Sequence, residues 1–466
     1  MGSKLTEEFT HPTEKELETN RLLGIFEGSS ARIILNLTSG AFLVGFLKYI
    51  GASDAVCGYI IALPVLAAVI QFLSPIILES LSRRMKIIKL GSAVHRLSLS
   101  ALIVIPFLPI NTSAKLWIAG IIFLISHLIL SFVTPAVSTM YVSFVPQSIR
   151  GRYFGMRESY MLASATIVTL ILGKVLDNFT DAGNEIMGHV VVYATIFLFT
   201  VINYLSYHFM KEVSLDHSKE RLKIKDIFTL PLKDRRFIYY FVMLVLWNIS
   251  LQIASAFFSV YLKSDLNMNY TTITVLSTIN SILYIISAKR WGRFADKHGW
   301  ATTTMITIGI LGICHGIWFF SFKGSPILIV LMVLAHVLGG IAWSGINVSI
   351  FNLQFDFTPD ENRMVYIGFS AAISGIIGYI AALIGSKLVS LFETDIIPIL
   401  GIDFNIKQLL FLSSSLLMLL CSFYIYFFMG VKNNKKVLKI FGEYIHSRLQ
   451  SLNLFLNRKG RGYEKD

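Results

Sequence analysis

The sequence predicts an all-α membrane protein whose twelve transmembrane helices form two pseudo-symmetric six-helix bundles. Three observations carry that reading: the composition, a series of long apolar runs, and an internal repeat. Of the 466 residues, 54% are hydrophobic and only 15% charged, against about 25% charged in an ordinary soluble protein. Mean hydropathy is +0.65. So few charges cannot cover a soluble globule, which excludes a water-soluble enzyme, a nucleic-acid-binding domain and a disordered chain. Cys57, Cys314 and Cys421 lie far apart in apolar runs and suggest neither a disulfide framework nor a metal site.

Taken in order, residues 1–26 are polar and partly acidic, with no basic stretch before a short apolar run, and read as an N-terminal segment rather than a cleavable signal peptide. Spans 1 to 6 are expected at 27–50, 55–78, 87–109, 115–141, 153–173 and 187–210. A polar linker at 211–236 separates this first bundle, 27–210, from a second at 237–430. Spans 7 to 12 are expected at 237–262, 270–289, 301–321, 326–352, 364–387 and 405–430. Each run supplies the roughly 20 apolar residues that a helix needs to cross the hydrocarbon core. None shows the period-2 alternation of a membrane barrel.

Loop charge sets the orientation. With the N-terminus inside, the inner loops hold twenty Lys and Arg before the tails are counted, and the outer loops hold seven: Lys48, Lys115, Lys174, Lys263, Lys323, Lys387 and Lys407. The bias predicts that both termini face the cytoplasm. The halves also repeat. Ala41–Lys48 resembles Ala256–Lys263; Pro146, Arg150, Tyr153, Gly155 and Lys174 find counterparts in Pro359, Arg363, Tyr366, Gly368 and Lys387; His127 matches His336.

The loop after span 8 reads Gly292-Arg293-Phe-Ala-Asp296-Lys-His-Gly299, and the equivalent loop after span 2 reads Pro75-Ile-Ile-Leu-Glu79-Ser-Leu-Ser82-Arg83-Arg84. These resemble the G-x-x-x-D-x-x-G-R-R loop of the major facilitator superfamily. The first copy lacks both glycines but keeps an acid and the Arg pair; the second keeps the glycines and the Asp but lacks the pair. The topological resemblance covers about 30–430. It implies a secondary transporter working by alternating access in the cell membrane, here of bacterial type, with cytoplasmic latches at Glu79, Arg83, Arg84, Gly292, Arg293, Asp296 and Gly299. Arg150, Arg152 and Arg363, at the inner ends of spans 4–5 and 10–11, are further latch candidates.

In that family, spans 1, 4, 7 and 10 line a central cavity. Here each carries a polar stripe at helical spacing: Arg32, Asn36 and Ser39; His127, Ser131, Thr134 and Ser138; Asn248, Gln252, Ser255 and Ser259; and His336, Gly340, Trp343 and Asn347. The expected substrate-binding set is Arg32, Asn36, Ser39, His127, Ser131, Thr134, Asn248, Gln252, His336, Trp343 and Asn347. Small and amide residues serve equally as helix-packing glue, so Ser131, Ser138, Ser255 and Gly340 fit either role. Gln71, Asn280 and Tyr284 are secondary candidates. Arg32 fits either an anion site or a side chain snorkelling back to the cytoplasm. Arg96, deeper in span 3, suggests a structural ion pair with Glu158.

No carboxylate occurs near the middle of spans 1, 4, 7 or 10, which would leave His127 and His336 to carry any coupling proton. Span 5 lacks the glycine-proline motif of drug–proton antiporters. No nucleotide-binding loop or catalytic motif is present, so neither enzymatic work nor a cofactor is expected. The tail, 431–466, places Lys432, Lys435, Lys436, Lys439, Arg448, Arg458, Lys459 and Arg461 around an apolar stripe. That pattern predicts an amphipathic helix held on anionic inner-leaflet lipid. The reading is a monomeric carrier of a small polar organic solute, with or without a coupling proton or cation, and with no nucleic acid or metal. A solute sensor, a lipid or amphiphile flippase and a drug exporter are the alternatives on the same fold.

Overall fold

The computed structural model describes residues 12–78, 84–212, 224–359, 363–393, 395–399 and 401–431. Among these residues, eleven helices are long and apolar enough to cross a membrane, and twelve if one bent pair counts as a single span. That pair is span 1, Glu14–Leu37 and Gly40–Tyr49, bent by 46°. The other spans run Asp54–Ala67 continued through Leu73–Leu78, Met85–Ala101, Thr112–Phe144, Arg150–Asp181 and Glu185–Phe209, then Arg235–Ser255, Tyr270–His298, Trp300–Phe319, Leu328–Phe357, Arg363–Phe392 and Ile406–Phe428.

Local chemistry explains where the elements begin and break. Span 1 starts at Glu14, far ahead of its apolar run, because Thr13 and Glu16 form a reciprocal capping box. Residues 14–26 are therefore helical rather than a loose polar segment. The bend falls where Thr38 and Ser39 turn their hydroxyls onto the carbonyls of Ile34 and Leu35, and Gly40 follows at φ +55°, a conformation open to glycine. Span 2 carries Pro64 and relaxes into a 3₁₀ turn at Ala68–Phe72. Span 7 ends in a π-turn, Tyr261–Asp265. Two features depart from the sequence reading: the linker contains a helix, Ile224–Lys233, and a short antiparallel hairpin, Ile397–Ile399 with Ile402–Phe404, precedes span 12.

The two halves pack alike. Span 1 lies on spans 5 and 6 as span 7 lies on spans 11 and 12; span 3 lies on spans 4 and 6 as span 9 lies on spans 10 and 12; span 2 lies on span 4 as span 8 lies on span 10. Contacts between halves obey the same symmetry, with span 2 on span 11 and span 5 on span 8. Large apolar side chains such as Trp117, Ile167, Phe197 and Phe423 point outward, as lipid-facing positions should.

The first half is tied together by a buried carboxylate. Glu27 Oε2 accepts from Tyr141 Oη at 2.5 Å and from Arg157 Nη2 at 2.9 Å. Its Oε1 accepts from Tyr207 Oη at 2.9 Å and Asn203 Nδ2 at 3.2 Å, with Arg96 Nη2 at 3.6 Å. Spans 1, 3, 4, 5 and 6 thus meet on one side chain. Gly24 and Gly28 make room: a Cβ at Gly24 would sit 2.5 Å from Tyr153 Oη, and one at Gly28 2.6 Å from Arg157 Nη2. The cluster corrects the expected Arg96–Glu158 pair, because the carboxylate beside Arg96 is Glu27.

Removing one partner of a buried ion pair strands the other, at roughly 3–5 kcal/mol. Glu27→Ala is expected to lower the unfolding midpoint strongly, and Glu27→Ala with Arg157→Ala to lower it by much less than the sum of the single changes. Additive effects in that double-mutant cycle, read by thermal unfolding in detergent, would remove Glu27 from this role.

Candidate functional site

The bend in span 1 opens a cavity of about 470 Å³ between the two halves. The first half contributes Arg32, Asn36 and Ser39 from span 1 and Glu158 and Thr169 from span 5. The second contributes Thr274, Ser277, Asn280, Ser281 and Tyr284 from span 8, and His336 and Asn347 from span 10. Spacings of three and four residues on spans 1 and 8, and of eleven residues on spans 5 and 10, put each group on one helix face.

The electrostatics of this cavity are one-sided. Arg32 Nη2 and Glu158 Oε1 form an ion pair at 2.6 Å, with 30% and 43% of their side chains exposed. The opposite wall is uncharged. There Asn347 donates to Tyr284 Oη at 3.3 Å, Asn280 donates to the His336 carbonyl at 3.3 Å, and His336 Nδ1 donates to the Met332 carbonyl at 2.7 Å. Such a wall can bond hydroxyls and amides, while Arg32 can bind an anionic oxygen if Glu158 gives way.

A second cavity, of about 640 Å³, lies within the first half, and Arg32 and Ser39 line both. His127, Ser131, Thr134 and Gln71 line this inner chamber with His95 and Arg96. His127 Nδ1 donates to the Phe123 carbonyl at 2.8 Å, and its ring stands edge-on to His95, 5.2 Å away.

Eight of the expected binding residues therefore line one cavity or the other. Three do not. Asn248 is buried against span 11, donating to Leu244 O at 2.8 Å and to Ser374 Oγ at 3.2 Å. Gln252 accepts from Ser255 Oγ at 2.8 Å and lies beside Gly378 of span 11. Trp343 packs edge-on to Trp247, with centroids 5.9 Å apart. These side chains hold the second half together, the packing role that amides and aromatics also fit. Gly340 likewise meets span 8, where an added Cβ would stand 2.3 Å from Asn280 O. Conversely, Glu158 is a cavity carboxylate that a search confined to spans 1, 4, 7 and 10 passes over. Asn280 and Tyr284, secondary candidates in the sequence, line the cavity, joined by Ser277 and Ser281, which the sequence reading did not single out.

Away from the termini, the halves are bonded to each other. Asp54, at the start of span 2, pairs with Lys48 of its own half and with Lys407 of the other. Lys407 also meets Asp265 at 2.7 Å, and its side chain is only 3% exposed. Ser264 Oγ donates to Asp54 Oδ1 at 3.0 Å, and the Asp54 amide donates to Glu393 at 2.8 Å. Asp177 of span 5 accepts from the Tyr270 and Thr271 amides, each at 2.8 Å, so a carboxylate of one half caps the positive end of a helix of the other. Glycines seat the contact: a Cβ at Gly45 would fall 1.7 Å from Tyr270 Oη, and one at Gly58 2.7 Å from Phe257. Lys48 and its repeat counterpart Lys263 both serve here, the latter with its ammonium 3.7 Å from the centroid of the Tyr270 ring.

At the terminal end the latch candidates are only partly within the described residues. Glu79 and Arg83 lie outside the described residues, as does the side chain of Arg363, which opens span 11. Arg84 is buried at the start of span 3. Arg150 opens span 5 and donates to Val145 O at 3.3 Å. Arg152, Arg293 and Asp296 are exposed. Gly292 has open space around it, and Gly299 ends span 8 at φ +85°. The basic tail also lies outside the described residues, apart from Val431.

The chain matches the family model described as Major Facilitator Superfamily over residues 26–353 and again over 237–460. No curated protein matches it. Among solved structures it is similar to the nucleoside transporter NupG, at 14% identity and TM-score 0.63, over 88% of this chain and 98% of that one. It is also similar to a bacterial homologue of the iron transporter ferroportin in the inward-facing state, at 15% identity and TM-score 0.62, over 89% and 98%. Against the outward-facing state of that homologue the identity is 14% and the TM-score 0.55, over 88% and 98%. At these identities the likeness is one of fold.

The cross-half bonds predict a measurable shift. Asp54→Asn removes the charge that holds Lys407, and a broken buried pair is worth several kcal/mol. Spin labels at Ile110 and Gly324, in loops of the two halves at that end, should then show a longer-distance population in the variant. A distance distribution identical to the parent's would leave the pair without a role in closure.

Proposed function

The chain belongs to the Major Facilitator Superfamily and is a multi-pass secondary transporter; on that premise we propose that it carries a small polar organic solute, bound between Arg32 and the uncharged wall of spans 8 and 10. The observation that carries this reading is the Arg32–Glu158 pair standing half-buried in a cavity whose other face offers Asn280, Tyr284, His336 and Asn347. A carboxylate or phosphate oxygen on the solute would take the guanidinium in place of Glu158, and its hydroxyl or amide groups would bond the far wall. A neutral hydroxylated solute would use that wall and Asn36 alone.

Loop charge supports a setting in the cell membrane with both termini in the cytoplasm. In that orientation the bonded end faces outside and the conformation is inward-facing. The higher TM-score against the inward-facing ferroportin homologue, 0.62 against 0.55, agrees with this. Transport would then alternate between this state and one in which Asp54 and Lys407 have parted. Glu79, Arg83, Arg84, Arg150, Arg152, Arg293, Asp296 and Arg363 would close the cytoplasmic end in the second state, with Gly292 and Gly299 permitting the turn.

The test is a panel of sugars, nucleosides, carboxylates and phosphorylated solutes, screened for a rise in the melting temperature of the purified protein and then for flux in proteoliposomes. One well-made hydrogen bond is worth about 1–1.5 kcal/mol, or about tenfold in affinity. Arg32→Gln and Asn347→Ala are each expected to weaken binding about tenfold while leaving the fold intact. Asn248→Ala should do the opposite, lowering the melting temperature with affinity unchanged. Binding without flux would sink the transport reading in favour of a sensor, and unaltered affinity in Arg32→Gln would remove that side chain from the site.

A further inference from the structure

A structural carboxylate at membrane depth needs a protein donor on each oxygen, because the hydrocarbon supplies none. Glu27, Asp54 and Asp177 have them. Glu27 is met by Tyr141 and Arg157 on one oxygen and by Tyr207 and Asn203 on the other. Asp54 has Ser264 and Lys48 on Oδ1 and Lys407 on Oδ2. Asp177 takes the Tyr270 amide on Oδ1 and the Thr271 amide and hydroxyl on Oδ2. Glu158 departs from this pattern. Its Oε1 accepts from Arg32 Nη2 at 2.6 Å, and its Oε2 has no hydrogen bond among the described residues. Arg32 is equally unfilled: among the described residues its guanidinium is bonded through Nη2 alone, and its other N–H donors are left over. Both side chains line the central cavity, so the open bonding positions belong to the solute's space.

Charge balance then narrows what can fill them. Arg32 and Glu158 are the charged side chains of that lining, a cation on span 1 and an anion on span 5, facing amides and hydroxyls. A simple anion that takes Arg32 in place of Glu158 leaves Glu158 unpaired beside a second negative charge. A simple cation that takes Glu158 leaves Arg32 in the same position. A solute that carries both charges exchanges one ion pair for two and leaves none unmatched. Because the two protein groups touch, the solute's charges must lie within a few bonds of each other, as they do on one carbon atom or on neighbouring ones.

Resting on the reading of this cavity as the solute site, we propose that the solute is an amino acid or a close zwitterionic relative, with its carboxylate on Arg32 and its ammonium on Glu158. Glu158 is the specificity-determining residue: it separates the zwitterion from the simple acid of the same skeleton. Asn280, Tyr284 and Asn347 face the rest of the solute and select a side chain with a hydroxyl or an amide.

The test is binding of matched solutes to the full chain in detergent: asparagine, glutamine, serine and threonine, each beside its deaminated acid and its decarboxylated amine. A charge-assisted bond is worth at least about tenfold in affinity. At least one zwitterion should bind, and its deaminated acid and decarboxylated amine should each bind about tenfold more weakly or worse. Glu158→Gln should weaken the zwitterion by about that factor and leave the deaminated acid no weaker than in the parent, closing the gap between the two. A residue that merely supports the fold would weaken all three solutes together, and that result would overturn the assignment. Should Glu158→Gln fold poorly, the three-way comparison in the parent decides. A deaminated acid that binds the parent as tightly as its zwitterion overturns the proposal and leaves the polar-solute reading of the cavity standing. So does a sugar or phosphorylated solute that binds where none of the amino acids does. Failure of every solute, in this panel and the wider one, sinks that reading as well.

Discussion

A carboxylate inside a membrane protein must be met on every side by protein donors, because the hydrocarbon offers none. Much of this structure follows from how that demand is met at three places. Glu27 is satisfied wholly within the first half, by side chains of spans 3, 4, 5 and 6. Asp54 and Asp177 are satisfied partly or wholly by the second half, through Lys407, Ser264 and the first amides of span 8. The first kind of carboxylate makes a body rigid. The second joins two bodies, and a joint made of a few charge-assisted bonds can open without disturbing either body.

That division explains why the glycines stand where they do. Gly24 and Gly28 bring Tyr153 and Arg157 close to span 1 within one half, and any side chain there would split the Glu27 cluster. Gly45 and Gly58 bring the halves together, and any side chain there would hold them apart. Spans 1 and 2 thus carry glycines with opposite consequences, one pair on span 1 for the integrity of a half, and Gly45 of span 1 with Gly58 of span 2 for its closure on its partner. Between the two pairs lies the break at Ser39 and Gly40, where the cavity begins.

The spans were legible in the sequence because apolar length is a property of a contiguous stretch. The repeat was legible for the same reason: Lys48 and Lys263 occupy matching positions and both serve the bonded end. The site was legible only in part. Arg32, Asn36 and Ser39 lie on a short helical stripe that ends at the bend, so spacing alone placed them. Asn248 carries an equally regular stripe, but spacing does not say which neighbour a helix face meets, and its neighbour is Ser374 rather than the cavity. Glu27 was hidden by its position at the apparent start of an apolar run, where a carboxylate reads as interfacial. The capping box at Thr13 and Glu16 pushes the helix start back and carries Glu27 into the packed interior. Asp54 and Lys407 each read as an unremarkable loop-end charge, since nothing local to either position announces a partner 353 residues away.

The placement of the ion pairs also separates two tasks that a moving transporter must keep apart. Arg32 and Glu158 belong to the same half, on spans 1 and 5, which pack together and share the Glu27 cluster. A rigid-body rotation of the halves leaves that pair intact, so rocking by itself neither exposes nor consumes the charge offered to a solute. Asp54 and Lys407 belong to different halves, and the same rotation must break them. A solute that engages Arg32 and also bonds Asn280 or Asn347 links the two bodies across the cavity, where the empty protein has no such link through these side chains. Its binding energy then bears directly on the relative position of the halves, and only a ligand whose interactions differ between two states can shift the balance between them. A solute touching one wall alone would bind without favouring either state. On the site proposed above, the charged wall and the uncharged wall would therefore have to be filled together, which would set a lower limit on the length of the solute and call for polar groups at both of its ends.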